Sequence, residues 1–247
     1  MPKYFVDKAD ISADTIIIRD DNYNHIKNVF RLTVGEQITV NDKLGNDYQC
    51  VISSVEQNII TATIFKTYVA TTEPVTNVVL FQSLIKGDKM EYVIQKAVEL
   101  GAAKVVPIVT TRCVVKLEDD KKTRAKVDRW NKISEAASKQ SGRGTVIEVL
   151  APMKYTQALE LAKNELEVNL IPYEKQVGSG IKSVLQSISA RNIGIFIGPE
   201  GGFEDKEVEL AHSYGLTSVT LGKRILKSET ASIAVLASLM YQMDEMQ

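Results

Sequence analysis

Two glycine-bearing segments in the last third of the chain, Gly198-Pro199-Glu200-Gly201-Gly202 and Leu221-Gly222-Lys223-Arg224-Ile225-Leu226-Lys227-Ser228-Glu229-Thr230-Ala231, each follow a short apolar run. Glycine lets main-chain N–H and C=O groups approach a ligand closely, and ligands of α/β proteins lie at the carboxyl ends of strands. The two segments therefore read as walls of one pocket. Phosphate is a poor occupant. No Gly-Lys-Ser/Thr follows the first segment, its spacing is not Gly-x-Gly-x-x-Gly, and Glu200 sets a negative charge where an anion would sit. A nucleotide-phosphate hydrolase is disfavoured on these grounds, and a neutral or cationic ligand fits better. Taken alone, the first segment is a tight turn with no ligand. In the second, Ser228 is a good helix N-cap and Glu229 a first-turn acid, so helix initiation accounts for much of Ser228-Glu229-Thr230.

The elements that must hold these segments follow from periodicity. Up to about residue 70 the chain reads as short strands, Lys3–Val6, Thr15–Ile18, Gln37–Asn41, Asp47–Ser54 and Ile59–Phe65, a spacing that predicts a small barrel. Tyr23, Ile26 and Phe30 recur at helical spacing within Asp21–Arg31. Tyr68–Thr76, with three threonines, Glu73 and Pro74, is expected to be a linker. Beyond it strands and helices alternate. Strands are expected at Asn77–Leu84, Val105–Val109, Val146–Leu150, Val168–Ile171, Ile193–Ile197 and Thr217–Leu221. Helices are expected at Asp88–Leu100, Val127–Lys139, Tyr155–Asn164, Ile181–Ile188, Asp205–Tyr214 and Glu229–Met243. Such alternation predicts an α/β fold with a doubly wound parallel sheet.

At 247 residues the chain can hold one or two domains. It has no apolar run of ~18 residues to cross a membrane, and Met1-Pro2-Lys3-Tyr4 lacks the apolar stretch of a signal peptide. A cytoplasmic address is expected, which suits two cysteines, Cys50 and Cys113, far apart in sequence. With His25 and His212 they form no ligand cluster, so no structural metal is expected. The formal charge of −1 is unevenly spread: from Arg112 to Arg143 ten Lys/Arg stand against five Asp/Glu. Arg112, Lys116, Lys121, Lys122, Arg124, Lys126, Arg129, Lys132, Lys139 and Arg143 make up this strip. By charge alone it is a solvated helix face; clustered cations also mark phosphate binding.

The order of these segments resembles the RsmE family, the uridine-N3 methyltransferases of small-subunit ribosomal RNA. The resemblance is carried by Gly198–Gly202 and Leu221–Ala231, and departs at Lys227, where the family usually has arginine. Ile94-Gln95-Lys96 with Glu99-Leu100-Gly101, Gln140-Ser141-Gly142-Arg143, and His25-Ile26 with Val29-Phe30-Arg31 extend it from the N-terminus to the last helix. It implies an RNA-binding PUA-like β-barrel over residues 1–71. Residues 72–247 would form a C-terminal SPOUT methyltransferase domain whose parallel sheet is tied in a deep trefoil knot. Periodicity does not reveal a knot, unknotted connections being the default.

The resemblance also implies the chemistry. S-adenosylmethionine would lie bent among three loops, held by Ile171, Pro172, Gly198, Pro199, Glu200, Gly201, Leu221, Gly222, Ile225, Leu226, Thr230 and Ala231. Glu200 either tolerates the sulfonium charge or serves only as a helix-leading acid. N3 of uridine must lose its proton, so negative charge spreads onto the uracil oxygens. Arg224, and after it Arg143, would stabilise that charge; alternatively Arg224 pairs with Glu229 to fix the loop. Glu229 would accept the proton. Lys3, His25, Lys27, Arg31, Arg112, Lys121, Lys122 and Arg124 would meet RNA, the partner being 16S ribosomal RNA or an assembled small subunit. A homodimer through Ile233, Leu236, Leu239 and Met240 is expected, with no membrane and no metal. The competing reading is a catalytically silent RNA-binding or ribosome-assembly factor of the same fold.

Overall fold

The computed structural model describes residues 3–115 and 119–246, so Lys116 of the basic strip lies outside the described residues. The chain divides into two compact units, Met1–Glu73 with Ser138–Val146, and Pro74–Ala137 with Ile147–Gln247. The segment Ser138–Val146 thus joins the first unit although it lies in the second half of the sequence.

The first unit is a five-stranded sheet. Its strands are β1 (Lys3–Phe5), β2 (Thr15–Ile18), β3 (Gln37–Asn41), β4 (Asn46–Glu56) and β5 (Ile59–Val69), in the order β1-β3-β4-β5-β2. β1 and β3 are parallel and the other pairs antiparallel. Alternate residues Ile16, Ile18, Ile38, Val40, Ile52, Ile60 and Ala62 point into one core with Tyr4 and Tyr48, the period of two that burial of one sheet face demands. Cys50 is in this core, and burial pushes its thiol up to about 11, so it is no nucleophile at neutral pH.

Helix α1 (Asp20–Asn24) runs into a π-turn over His25–Val29. Tyr23 and Ile26 are buried as expected, but Phe30 is 47% exposed. The wider i→i+5 turn, with the Phe30 N–H bonded to the His25 carbonyl at 3.0 Å, rotates Phe30 off the apolar face. The expected linker also begins later than its composition says. β5 continues through Tyr68 and Val69, which pair with Asp47 and Asn46, and Ala70 packs so closely on Gly144 that a Cβ there would lie 2.2 Å from the Ala70 Cβ.

The second unit alternates strand and helix: β6 (Asn77–Ser83), α2 (Lys89–Glu99), β7 (Lys104–Val109), α3 (Asp120–Ser141), β8 (Glu148–Val149), β9 (Met153–Lys154) and α4 (Tyr155–Glu165). β10 (Val168–Pro172), α5 (Ile181–Ser187), β11 (Asn192–Ile197), α6 (Asp205–Ser213), β12 (Thr217–Val219) and α7 (Ser228–Gln242) follow. All strands pair in parallel, in the order β12-β10-β11-β6-β7-β8, with β9 also on β7. α3 starts seven residues before the expected Val127, because its first turns are charged and carry no apolar stripe; the Asp119 carboxylate caps them by accepting the Lys122 N–H at 2.9 Å.

Strand residues alternate between two cores. Val78, Leu80, Ile193, Ile195 and Leu170 face α2, α5 and α7, whereas Val79, Phe81, Phe196 and Ile171 face α4 and α6. Phe81 and Phe196 stack across adjacent strands with centroids 4.2 Å apart. From α7, Val235, Leu236, Leu239 and Met240 are all buried in the first of these cores. The expected dimer contacts Leu236, Leu239 and Met240 are therefore core residues of their own chain, and Ile233 alone of the four is partly exposed. Past α7, Glu245 accepts the Val75 and Thr76 N–H groups at 3.1 and 2.7 Å.

Candidate functional site

β12, β10 and β11 are neighbours, so the loops leaving their carboxyl ends lie side by side. They enclose a cleft of about 270 Å³ lined by residues 172–174, 197–203 and 220–226, with Ser228 and Ala231. Pro172, Gly198, Pro199, Glu200, Gly201, Leu221, Gly222, Arg224, Ile225, Leu226 and Ala231 all reach it. Ile171 does not; it is fully buried beneath, in the core under α4 and α6. Thr230 is exposed on α7, and neither it nor Glu229 lines the cleft.

The glycines have separate causes. Gly202 has φ +67°, and its N–H closes a turn on the Pro199 carbonyl at 2.9 Å. Gly198 is tightly enclosed, since a Cβ would lie 3.2 Å from the Gly202 carbonyl carbon and the Phe203 nitrogen, closer than most side chains come. Gly222 has open space around it but φ +106°, a conformation that L side chains rarely adopt. Arg112 Nη1 donates to the Gly201 carbonyl at 2.8 Å, so this arginine braces the first loop. The Glu200 carboxylate accepts the Lys86 N–H at 3.0 Å. The acids leading α6 are others: Glu207 reaches back to the Glu204 N–H at 2.9 Å.

Charge at the cleft is unevenly committed. Among the described residues Arg224 makes no hydrogen bond or ion pair and is exposed. The pair with Glu229 does not form. Glu229 Oε1 instead lies 3.4 Å from Lys89 Nζ, and its Oε2 is buried without a hydrogen-bond partner. Tyr173 donates to Asp205, which also takes Lys175 Nζ at 2.6 Å. Burial and this carboxylate raise the Tyr173 phenol, while Lys175 and Tyr173 hold Asp205 below the usual carboxylate range.

Ser228 is not the N-cap. Lys227 occupies that position, and Ser228 is the first residue of α7. Its hydroxyl donates to the Gly198 carbonyl at 2.6 Å and accepts from Gln82 Nε2 at 3.0 Å. No motif in the sequence points to Gln82. Its one signal is an amide at position 82 of an otherwise apolar strand, Val78-Val79-Leu80-Phe81, and periodicity gives such a residue no role.

In the first unit, Arg143 is 5% exposed, and its guanidinium is bound to Glu73 at 2.6 Å, outside the cleft lining. Lys3 bonds Asp47 at 2.9 Å and the Gly142 carbonyl. Lys27 Nζ sits on the Tyr23 hydroxyl at 2.7 Å. His25 is exposed, edge-on to Tyr4 and Phe30, and Arg31 is exposed at φ +56°. In the second unit Lys121, Lys122 and Arg124 stand exposed on α3. No group of three or more His, Cys, Asp or Glu among the described residues is placed to hold a metal ion, and no described helix is long and apolar enough to cross a membrane.

Residues 71–240 match the RNA methyltransferase domain, and residues 18–65 match the RNA methyltransferase PUA domain. The chain belongs to this RNA methyltransferase family, with a PUA-like first unit and an α/β methyltransferase second unit. Within the family it is similar to ribosomal RNA small subunit methyltransferase E of Bacillus subtilis, with 33% identity over 98% of this chain and 97% of that one. The protein of the same name from Mesomycoplasma hyopneumoniae is 34% identical over 96% of this chain and 97% of its own. Among solved structures, ribosomal RNA small subunit methyltransferase E from Neisseria gonorrhoeae, bound to S-adenosyl methionine, superposes with TM-score 0.83. It shares 31% identity over 98% of this chain and 97% of that one.

Proposed function

We propose that this chain transfers a methyl group from S-adenosylmethionine to N3 of a uridine in small-subunit ribosomal RNA. The observation that carries the reading is the glycine-walled cleft at the carboxyl edge of the sheet, with the uncommitted guanidinium of Arg224 beside it. The cleft suits the cofactor. Gly198, Gly201 and Gly222 bring main-chain polar groups to its surface, where an adenine edge and a ribose are recognised, and Leu221, Ile225 and Leu226 supply apolar contact. Bound there, the cofactor supplies an electrophilic methyl on a sulfonium.

The chain's own residues supply the rest. Arg224 addresses the uracil oxygens, onto which charge spreads as N3 loses its proton. Glu229, outside the cleft lining, is the acceptor for that proton, and since its Oε2 is buried a shift of the side chain or the loop has to open it to a bridging water. Arg143 is a structural residue of the first unit, held by Glu73. RNA phosphates fall to Arg112, Lys121, Lys122 and Arg124, and to Lys3, His25, Lys27 and Arg31 on the PUA-like unit. A target within a duplex has to be unstacked first. The knot is inferred with the family, as is a cytoplasmic setting. So is a homodimer through α7, where Ile233, Ala237 and Tyr241 recur every four residues and are at least partly exposed. A monomer at micromolar concentration by sedimentation removes the dimer.

Titration with S-adenosylmethionine tests the reading. At about 100 times its dissociation constant it stabilises the fold by about 2.7 kcal/mol, and ATP or GTP does not substitute. Ribosomal RNA from cells lacking the protein loses one N3-methyluridine. An unmoved melting curve together with an unchanged modification map refutes the proposal.

A further inference from the structure

Gln82 is fully buried at the end of β6 and does not line the cleft, yet its hydrogen bonds converge on it. Nε2 lies 2.9 Å from the Ser83 carbonyl and 3.0 Å from Ser228 Oγ. Oε1 accepts from Ser232 Oγ at 2.6 Å. The proton directions follow. A carbonyl only accepts, so the nitrogen must face Ser83. Its second proton goes to Ser228, whose single proton is left for the Gly198 carbonyl at 2.6 Å. The relay Gln82–Ser228–Gly198 thus ties the strand end to both glycine loops, since Gly198 opens the first and Ser228, the first residue of α7, lies within the second segment. Every member is satisfied, the condition under which a buried polar network rigidifies its surroundings.

We propose that Gln82 is a positioning residue for the cleft: through Ser228 it sets the spacing of the two glycine loops, and cofactor affinity depends on that relay. This rests on the methyltransferase reading. Leucine at position 82 removes the donor to Ser228 Oγ and one acceptor of the Ser232 hydroxyl, which keeps only the Ser228 carbonyl at 3.0 Å. Glutamate turns an acceptor toward the Ser83 carbonyl. Both loosen the loops without touching a ligand.

Calorimetric titration of the full chain with S-adenosylmethionine decides it, using Gln82→Leu, Ser228→Ala, the double variant and Leu159→Ala. The last is a stability control in the core on the opposite sheet face. If the unsubstituted chain binds no cofactor, the methyltransferase reading fails, and the relay with it. Given binding, each relay variant is expected to weaken it about tenfold or more, the scale of one buried hydrogen bond lost. The double variant should be little worse than either single, because both break one relay. Leu159→Ala should lower the melting temperature and leave affinity within about twofold. Should Gln82→Leu not fold, Ser232→Ala, which removes the donor to Gln82 Oε1 from outside the cleft lining and is expected to weaken binding likewise, carries the test. Relay variants that bind within about twofold of the unsubstituted chain, or no more weakly than Leu159→Ala, overturn the proposal.

Discussion

Arg143 and Glu73 are bound to each other in the first unit, with guanidinium nitrogen and carboxylate oxygen 2.6 Å apart. The same carboxylate takes the Gly144 N–H and the Thr145 hydroxyl, each at 2.7 Å. Burial works to raise the Glu73 pKa, but the bonds from Arg143, Thr145 and Gly144 outweigh it and hold the group below its ordinary value. A carboxylate depressed in the folded state contributes stability in full above its unfolded value of about 4.3. That contribution is lost as pH falls through the folded value. Glu73→Gln should therefore cost about 3 kcal/mol at neutral pH, by removing the carboxylate charge beside a buried guanidinium. The difference from the unsubstituted chain should shrink below about pH 4. Hydrogen exchange of the Gly144 and Thr145 amides at pH 7 and in acid measures both.

Arg224 separates catalysis from folding. Having no partner and being exposed, it should tolerate Arg224→Ala with a change in stability within about 0.5 kcal/mol. S-adenosylmethionine binding should be nearly intact, and single-turnover methylation slower by about a hundredfold or more. Lysine should rescue only in part, because it lacks the planar fork. Normal turnover in the alanine variant removes Arg224 from the mechanism; lost cofactor affinity moves it to the cofactor's side of the cleft.

Lys121, Lys122 and Arg124 stand exposed on α3. If they displace counterions from single-stranded RNA, each phosphate neutralised adds about −0.7 to the slope of log affinity against log salt. Reversing all three to glutamate should make the slope shallower by about 2. An unchanged slope leaves these residues as a solvated face.

Two glycines distinguish conformational from steric demand. Gly222→Ala meets no neighbouring atom and pays for φ +106° alone, about 1–2 kcal/mol of stability. Gly198→Ala puts a Cβ 3.2 Å from the backbone of Gly202 and Phe203, which must give by a few tenths of an ångström, so it should shift the first loop and weaken cofactor binding beyond its effect on melting. Paired melting curves and titrations of both variants check the contrast.

Much of the second unit was legible because its signals are local. Strand runs such as Ile193–Ile197 and helices such as Tyr155–Asn164 lie within a residue or two of where they form. The cleft loops were legible through their glycines, whose backbone demands show in the sequence itself. What stayed hidden was set by partners distant in sequence. Ser228 looks like a cap, but a carbonyl thirty residues away takes its proton. Glu229 finds Lys89 rather than Arg224. Arg143, placed by resemblance among the catalytic residues, is bound by an acid seventy residues upstream. An apolar α7 suggested a surface for a second copy, whereas most of that apolarity fills its own core.

Because α7 follows every other element of the second unit in chain order, it is also the last of them to be synthesised. Its Val235, Leu236, Leu239 and Met240 complete the core they share with α2, and Glu245 then binds the amides at Val75 and Thr76. While translation is still short of this helix, the inner side chains of α2, Met90, Val93, Ile94 and Ala97, lack their cover. Until α7 is added, those side chains form exposed apolar surface of the kind through which incomplete chains associate. A premature stop before Ser228 yields a chain unable to seal its second unit, rather than a shortened protein with a damaged cleft.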